Sequence, residues 1–282
     1  MKKVFYFIFT KSIGLYLNLL SFAFPQKANQ KAFDLFSQPR KGKLSPDKLP
    51  KTLSKAIFKS ISYQGESIAT YTWKGNDTVI LLVHGWESNS SRWKKTLPYL
   101  QATGCTIIAL DAPAHGLSGG KEFSIPKYGE WINVLVQEYH PKYLIGHSFG
   151  GKASLYYQAH YENHSIEKTV ILGAPDEFKT ILYNYTDLLS LKSSIIKGLE
   201  AKYATVFQKE LDQFTAKHFA SKIKTKGLIA HDIHDTIVLF DEGKKIATAW
   251  ENAVFIQTEG LGHALHDEDL YQQVIAFLFE TE

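Results

Sequence analysis

A serine attacks a carbonyl only when its hydroxyl is presented clear of the backbone and a base takes its proton. Residues 145–151 offer the presentation: they read Ile-Gly-His-Ser-Phe-Gly-Gly, directly after the apolar Tyr143-Leu144. A serine held as Gly146-x-Ser148-x-Gly150 between a strand and a helix is a nucleophile elbow, a turn tight enough to strain the serine and project its hydroxyl from the sheet edge. Side chains two positions either side would collide there, so glycine is needed at both. The pattern alone arises by chance, and Ser148 would then be a turn serine without consequence. Here the flanks also fit, because Lys152 to Tyr157 continue as a helix.

The remaining chemistry requires a base, an acid that holds it and donors for the developing oxyanion. On a sheet of this kind acid and base follow the serine, at the carboxyl ends of later strands. The segment 228–238, Leu-Ile-Ala-His-Asp-Ile-His-Asp-Thr-Ile-Val, offers two acids. Asp235, in the loop before the next helix, is the favoured one; Asp232 sits at the strand's end and is the rival. For the base, Gly260-Leu261-Gly262-His263 follows the last strand, and its glycines let the loop curl back toward Ser148. His266 is the rival, expected to cap the next helix or face outward. Backbone N–H groups of Phe149 and of Trp86, in His84-Gly85-Trp86, are the candidate oxyanion donors. The two histidines of 231–235 lack helical ligand spacing, and neither a metal nor a cofactor is expected.

Six apolar runs must carry these groups: Val79–Val83, Thr106–Leu110, Tyr143–Ile145, Val170–Leu172, Leu228–Ala230 and Val254–Gln257. Runs of this kind mark strands buried on both faces of a parallel sheet. Helical stretches separate them at Ser90–Ala102, Pro126–Tyr139, Gly151–Glu162 and Ile237–Trp250, and the chain closes with Asp267–Phe279. Alternation of this kind predicts a mostly parallel α/β sheet, with a leading hairpin at Ile61–Trp73. Residues 176–224 break the alternation with helically spaced Phe, Leu, Ile and Tyr and read as a helical cap insertion over the sheet's carboxyl edge.

Bulk composition fits a single large α/β domain, with 44% hydrophobic and 21% charged residues. The one cysteine, Cys105, excludes an internal disulfide framework and any cysteine-based metal site. Charge is uneven: residues 1–60 carry 12 Lys/Arg against two acids, and the other 222 carry 20 against 26. The chain is therefore expected to divide into a basic helical arm and linker at 1–50 and an α/β domain at 51–282.

The arm begins with an apolar stretch, residues 4–24, interrupted by Lys11. A signal peptide would have this charged start, but Lys11 cuts its apolar core short. Lys11, Asn18 and Ser21 also interrupt a membrane span. Lys11, Gly14, Asn18 and Ser21 instead recur at helical spacing, giving a polar stripe on a Phe/Leu/Ile helix. Three placements compete: that apolar face packs on the protein's own core, residues 1–24 make peripheral membrane contact, or the segment is cleaved or spans a membrane. Its aromatic and aliphatic character speaks against nucleic acid as partner.

In order, His84-Gly85-Trp86, the segment 111–118 with Asp111, His115, Gly116 and Ser118, Gly146 to Gly151, Asp235 and Gly262-His263 resemble the α/β-hydrolase family, over Ile61 to Phe279. The resemblance implies an eight-stranded, mostly parallel sheet flanked by helices, a cap at 176–224 and an acyl-enzyme mechanism. Asp111, Gly116 and Ser118 match a structural loop to which no chemistry is assigned. A serine rather than an aspartate nucleophile argues against dehalogenase and epoxide-hydrolase chemistry. What remains is cleavage of an ester or thioester, less often an amide, with a small, lipophilic substrate. The alternatives are a membrane-associated lipid acyl hydrolase or acyltransferase and a non-catalytic binding protein of the same fold. The expected location is cytoplasmic, with or without membrane association.

Overall fold

Continuous burial along the central apolar runs marks them as the inner strands of one sheet. The computed structural model describes residues 2–162 and 165–280. The strands are β1 Ile57–Tyr63, β2 Glu66–Trp73, β3 Asn76–Val83, β4 Cys105–Leu110, β5 Tyr143–His147, β6 Lys168–Leu172, β7 Lys226–Asp232 and β8 Ala253–Thr258. The helices are α1 Lys2–Ala23, α2 Pro25–Ser37, α3 Lys51–Ser54, α4 Leu97–Ala102, α5 Ile125–Tyr139, α6 Phe149–His160, α7 Phe178–Leu189, α8 Ser193–Phe207, α9 Ala216–Ala220, α10 Phe240–Ala249 and α11 Glu268–Phe279. The sheet order is β1-β2-β4-β3-β5-β6-β7-β8. Pairs from β4 through β8 are parallel, and β2 is antiparallel to both β1 and β4. The eight-stranded, mostly parallel sheet is as expected.

Contacts divide the chain into two units at boundaries other than residue 50: residues 39–176 with 216–282, and residues 1–38 with 177–215. In the sheet unit, Ile80, Leu82, Ile107, Ile145, Val170 and Leu228 pack in one core with Leu97 and Leu100 of α4 and Leu270, Val274 and Leu278 of α11. The intervening Leu81, Ile108, Leu144, Ile171 and Ile229 are buried as well, as a strand covered on both faces demands. Each such aliphatic side chain contributes about 1.5–3 kcal/mol on full burial. In this order β4 and β5 lie on opposite sides of β3, so the direction of strand addition reverses there. The crevice beyond the carboxyl ends of β3 and β5 is where such sheets hold ligands.

Two expected helices are shorter than their periodicity suggested. Ser90–Ala102 is a 3-10 turn at Ser90–Lys94 followed by α4, because Pro98 lacks the N–H that would bond back to the Lys94 carbonyl in a continuous helix. Ile237–Trp250 starts only at Phe240, since Asp235 Oδ1 accepts the Ile237 and Val238 N–H groups and holds them in a turn. The insertion is also narrower than 176–224. Asp176 accepts the Ala216 N–H on its carbonyl and the Lys217 N–H on its carboxylate, fixing the base of α9 to the sheet unit.

The helical unit joins the arm to the insertion. Phe33 and Phe36 of α2 meet Tyr203 of α8 with ring centroids 5.1 and 5.6 Å apart, and Phe178 meets Tyr203 at a tilt and Phe207 edge-to-face, at 4.7 and 4.6 Å. On α1 the expected packing is inverted: the polar stripe faces the protein and the apolar face does not. Lys11 Nζ donates to the Asp187 carbonyl at 3.1 Å and to Ser190 Oγ at 2.7 Å. Asn18 donates to the Ser190 carbonyl at 2.8 Å, and its Oδ1 accepts the Lys192 N–H at 2.9 Å. The last carbonyls of α7 have no partner within that helix, and a cation there is worth ~0.3–1 kcal/mol. Gly14 allows this approach, since a Cβ would collide with the Leu189 carbonyl. Phe5, Phe7, Phe9, Leu15, Leu19 and Phe22, by contrast, are each more than half exposed.

Candidate active site

The turn after β5 places Ser148 at φ 55°, ψ −126°, a backbone conformation that a residue with a Cβ adopts only under constraint. The constraint comes from both sides. The Ser148 N–H donates to the Leu172 carbonyl at 2.8 Å, and the Ser148 carbonyl accepts the Lys152 N–H at 3.1 Å as α6 begins. Gly150 lies against β3 so closely that a Cβ would press on the Val83 and His84 carbonyls. The loop after β3 also passes tightly: a Cβ on Gly85 would stand 2.8 Å from that of Ser148.

His263 arrives in a 3-10 turn, Gly262–Ala264, beyond β8. Its Nε2 lies 3.0 Å from Ser148 Oγ and its Nδ1 2.7 Å from Asp235 Oδ2. Asp235 offers only acceptors when ionised, so Nδ1 carries the hydrogen and Nε2 is free to accept from the serine hydroxyl. Asp235's side chain is wholly buried while that of His263 is 20% exposed, so the acid is shielded and the base remains accessible. Burial alone would raise the Asp235 carboxyl. Hydrogen bonds from His263 and from the Val238 and Ile237 N–H groups outweigh it, and the pKa is lowered. An anion is therefore kept behind the imidazole.

Neither rival occupies these positions. Asp232 Oδ1 accepts the His234 N–H at 3.0 Å, and its Oδ2 accepts Thr258 Oγ1–H and the Leu261 N–H at 2.9 Å each. It ties β7 to the loop that carries His263. Despite burial, those hydrogen bonds lower its pKa. His266 neither caps α11, which Asp267 does through the Leu270 N–H at 2.9 Å, nor points away. It pairs with the Tyr271 hydroxyl at 2.8 Å, and burial followed by repulsion from Arg92 lowers its pKa to about 4.

Trp86 and Phe149 line the same corner, with the Phe123 ring between them at 5.4 and 5.8 Å. Phe149 is the first residue of α6, so its N–H has no acceptor inside the helix. The loop bearing Trp86 is braced by groups to which the sequence assigned no role. His84 donates from Nδ1 to the Gly85 carbonyl at 2.7 Å and accepts the Ala112 N–H on Nε2 at 2.9 Å. His115 Nε2 accepts the Glu87 N–H at 3.0 Å, and Asp111 accepts the Ser90 N–H and the Tyr71 hydroxyl at 2.8 and 2.9 Å. Burial lowers the two imidazoles to about 4 and about 3, so both are neutral.

Two further side chains hold the His263 turn. His147 Nε2–H donates to the His263 carbonyl at 2.8 Å, and Arg92 Nη2–H donates to the Ala264 carbonyl at 2.9 Å. Burial lowers His147 well below the ordinary imidazole value and Arg92 to about 9. His231 supports the acid from behind, donating from Nε2 to the Val238 carbonyl at 2.9 Å while lying 3.6 Å from Asp235 Oδ2. Backbone carbonyls as acceptors leave no trace in residue types, which is why these three braces escaped the sequence.

A family profile described as alpha/beta hydrolase fold matches residues 78–192. The chain has the α/β-hydrolase fold. Similar curated proteins include a bifunctional esterase/perhydrolase of Acinetobacter calcoaceticus, 23% identical over 76% of this chain and 96% of that protein. A monoacylglycerol lipase of Mycolicibacterium smegmatis is 28% identical over 29% of this chain and 33% of its own length. Matches to three of the curated relatives are local, the chain spanning only 30–42% of their length. Among solved structures, an esterase from Exiguobacterium antarcticum superposes with a TM-score of 0.63 at 16% identity, covering 80% of this chain and all of that one.

Proposed function

We propose that this α/β-hydrolase is a serine hydrolase that cleaves a carboxylic ester or thioester through an acyl-enzyme. The observation that carries the reading is the unbroken chain from Asp235 through His263 to Ser148, with contacts of 2.7 and 3.0 Å. In the first half-reaction His263 Nε2 takes the hydroxyl proton as Ser148 Oγ attacks the acyl carbon. The tetrahedral oxyanion accepts the Phe149 and Trp86 N–H groups, and Asp235 stabilises the imidazolium. His263 then protonates the leaving oxygen or sulfur as the C–O or C–S bond breaks. Water, deprotonated by His263, attacks the acyl-Ser148 ester in the second half and releases the acid. The Trp86, Phe123 and Phe149 rings favour an apolar acyl group over a charged one.

Steady-state hydrolysis of p-nitrophenyl esters and acyl thioesters of graded chain length tests the reading. Wild-type protein should turn over at least one class, and Ser148→Ala should lose about 10³-fold or more in kcat. Equal turnover by the two proteins would refute a serine nucleophile. No turnover by folded wild-type protein on any ester or thioester would instead favour a binding role.

A further inference from the structure

The helix α1 spends its polar residues inward. Lys11 and Asn18 are bound to the turn between α7 and α8, Gly14 lies against Leu189, and Leu17 is buried. What faces out is apolar: Phe5 is 74% exposed, Leu15 60%, Leu19 59% and Phe22 74%. Water gains nothing from this face. The seven exposed rings at positions 5, 6, 7, 9, 16, 22 and 24, at ~150–250 Å² per aromatic side chain, leave on the order of 600–1,000 Å² of aromatic surface uncovered. The largest apolar patch on an ordinary soluble monomer is about 300–600 Å².

The shape of the patch selects what covers it. A second helix covers a narrow seam at heptad positions, flanked by charges. Here residues 4–9 are all exposed and all apolar, so α1 is apolar around its circumference over these six positions, which one partner helix cannot cover. Hydrocarbon can. Charge points the same way. Residues 1–38 with 177–215 carry 10 basic and six acidic side chains, a net of +4 that equals the charge of the whole chain. Val4–Ala23 is also long and apolar enough to cross a bilayer. A span would draw the turn bound to Lys11 and Asn18 into hydrocarbon, with the exposed Asp187 and Ser190, at a large cost in unsolvated polar groups.

We propose that the outward face of α1 docks onto the surface of an anionic phospholipid bilayer, the helix lying in the plane of the interface. The phenylalanines and leucines insert among the acyl chains, while the lysines of the helical unit remain at headgroup level. The helix carries α7 and α8 with it, through the Lys11 and Asn18 bonds.

Full-length protein, kept soluble with mild detergent that is then removed, is mixed with vesicles rich in phosphatidylglycerol or with pure phosphatidylcholine vesicles and sedimented. We expect wild-type protein to bind the anionic vesicles roughly ten-fold more tightly, and less tightly as salt rises. A Phe5→Asp/Leu15→Asp/Leu19→Asp variant should lose vesicle binding yet keep its melting temperature and its ester turnover. Each single substitution should weaken binding in part, so the test survives if the triple variant folds poorly. Three results would overturn the proposal. The first is wild-type protein that stays in the supernatant with both vesicles. The second is a wild-type dimer that the triple variant breaks, which puts a second copy on this face. The third is an N-terminal epitope protected from externally added protease, which means that the helix spans.

Discussion

Asp235→Asn is the substitution whose consequence follows most closely from the geometry. Oδ1 accepts two backbone N–H groups, from Ile237 at 2.8 Å and Val238 at 3.0 Å, while Oδ2 faces His263 Nδ1 at 2.7 Å. In the asparagine variant the amide oxygen is pinned toward the two N–H donors. Reversing it would forfeit both bonds, about 1 kcal/mol each, and set the amide hydrogens against the backbone hydrogens. The NH₂ therefore replaces Oδ2 and donates to Nδ1, which forces the hydrogen of His263 onto Nε2. In that tautomer the imidazole cannot accept the Ser148 proton. The equivalent exchange in serine proteases lowers kcat by about 10⁴, equivalent to roughly 5 kcal/mol of transition-state stabilisation. Asp232→Asn is the control, because the Asp232 carboxylate accepts from Thr258, His234 and Leu261 rather than from His263. It should keep turnover within about ten-fold while losing on the order of 1–3 kcal/mol of stability from unsatisfied buried donors. The assay is kcat on a p-nitrophenyl ester, with a melting curve for each variant. Equal turnover losses in two folded variants, or an Asp235→Asn enzyme within ten-fold of wild type, would refute the assignment of the acid.

His147→Phe removes the donor to the His263 carbonyl while keeping ring volume; we expect kcat to fall about ten-fold or more with KM little changed, and a pure loss of melting temperature would make His147 structural only. Gly150→Ala should destabilise the fold or displace the elbow, since the new Cβ meets the Val83 and His84 carbonyls; a crystal structure with an unmoved Ser148 would contradict this. Acid sensitivity follows from His84 and His115, whose folded pKa values of about 4 and about 3 lie below the ordinary 6.5. Below 6.5 the unfolded chain binds protons that the folded chain refuses, so stability falls as pH drops from about 6.5 toward 4. The loss is on the order of 2 kcal/mol for each histidine by pH 5. Urea unfolding at pH 7 and pH 5 measures it, and a pH-independent midpoint would contradict the burial of neutral imidazoles.

The parts of this molecule that were legible in the sequence are those where geometry restricts residue type. A turn as tight as that at Ser148 needs Gly146 and Gly150, and a sheet covered on both faces needs unbroken apolar runs, so β3 to β8 and the elbow were foreseeable. Asp235 and His263 were placed by strand order, and the structure brings both to Ser148. Helix α1 was legible only as two faces. Nothing in Lys11, Gly14, Asn18 and Ser21 says whether water or the α7 carbonyls satisfy them, because that depends on a turn more than 160 residues away at Ser190. The same holds for His147, Arg92 and His231, which donate to backbone carbonyls that every residue possesses. The break in Ser90–Ala102 was readable from Pro98 but was outweighed by the periodicity around it.

The central claim is that Ser148 is a nucleophile activated by His263. Reaction with a fluorophosphonate, followed by peptide mass spectrometry, tests it without knowledge of the substrate. The account predicts one covalent phosphonyl adduct on Ser148, absent from Ser148→Ala and formed far more slowly in His263→Ala. An unmodified Ser148 in folded wild-type protein, or undiminished labelling of Ser148→Ala, would contradict it.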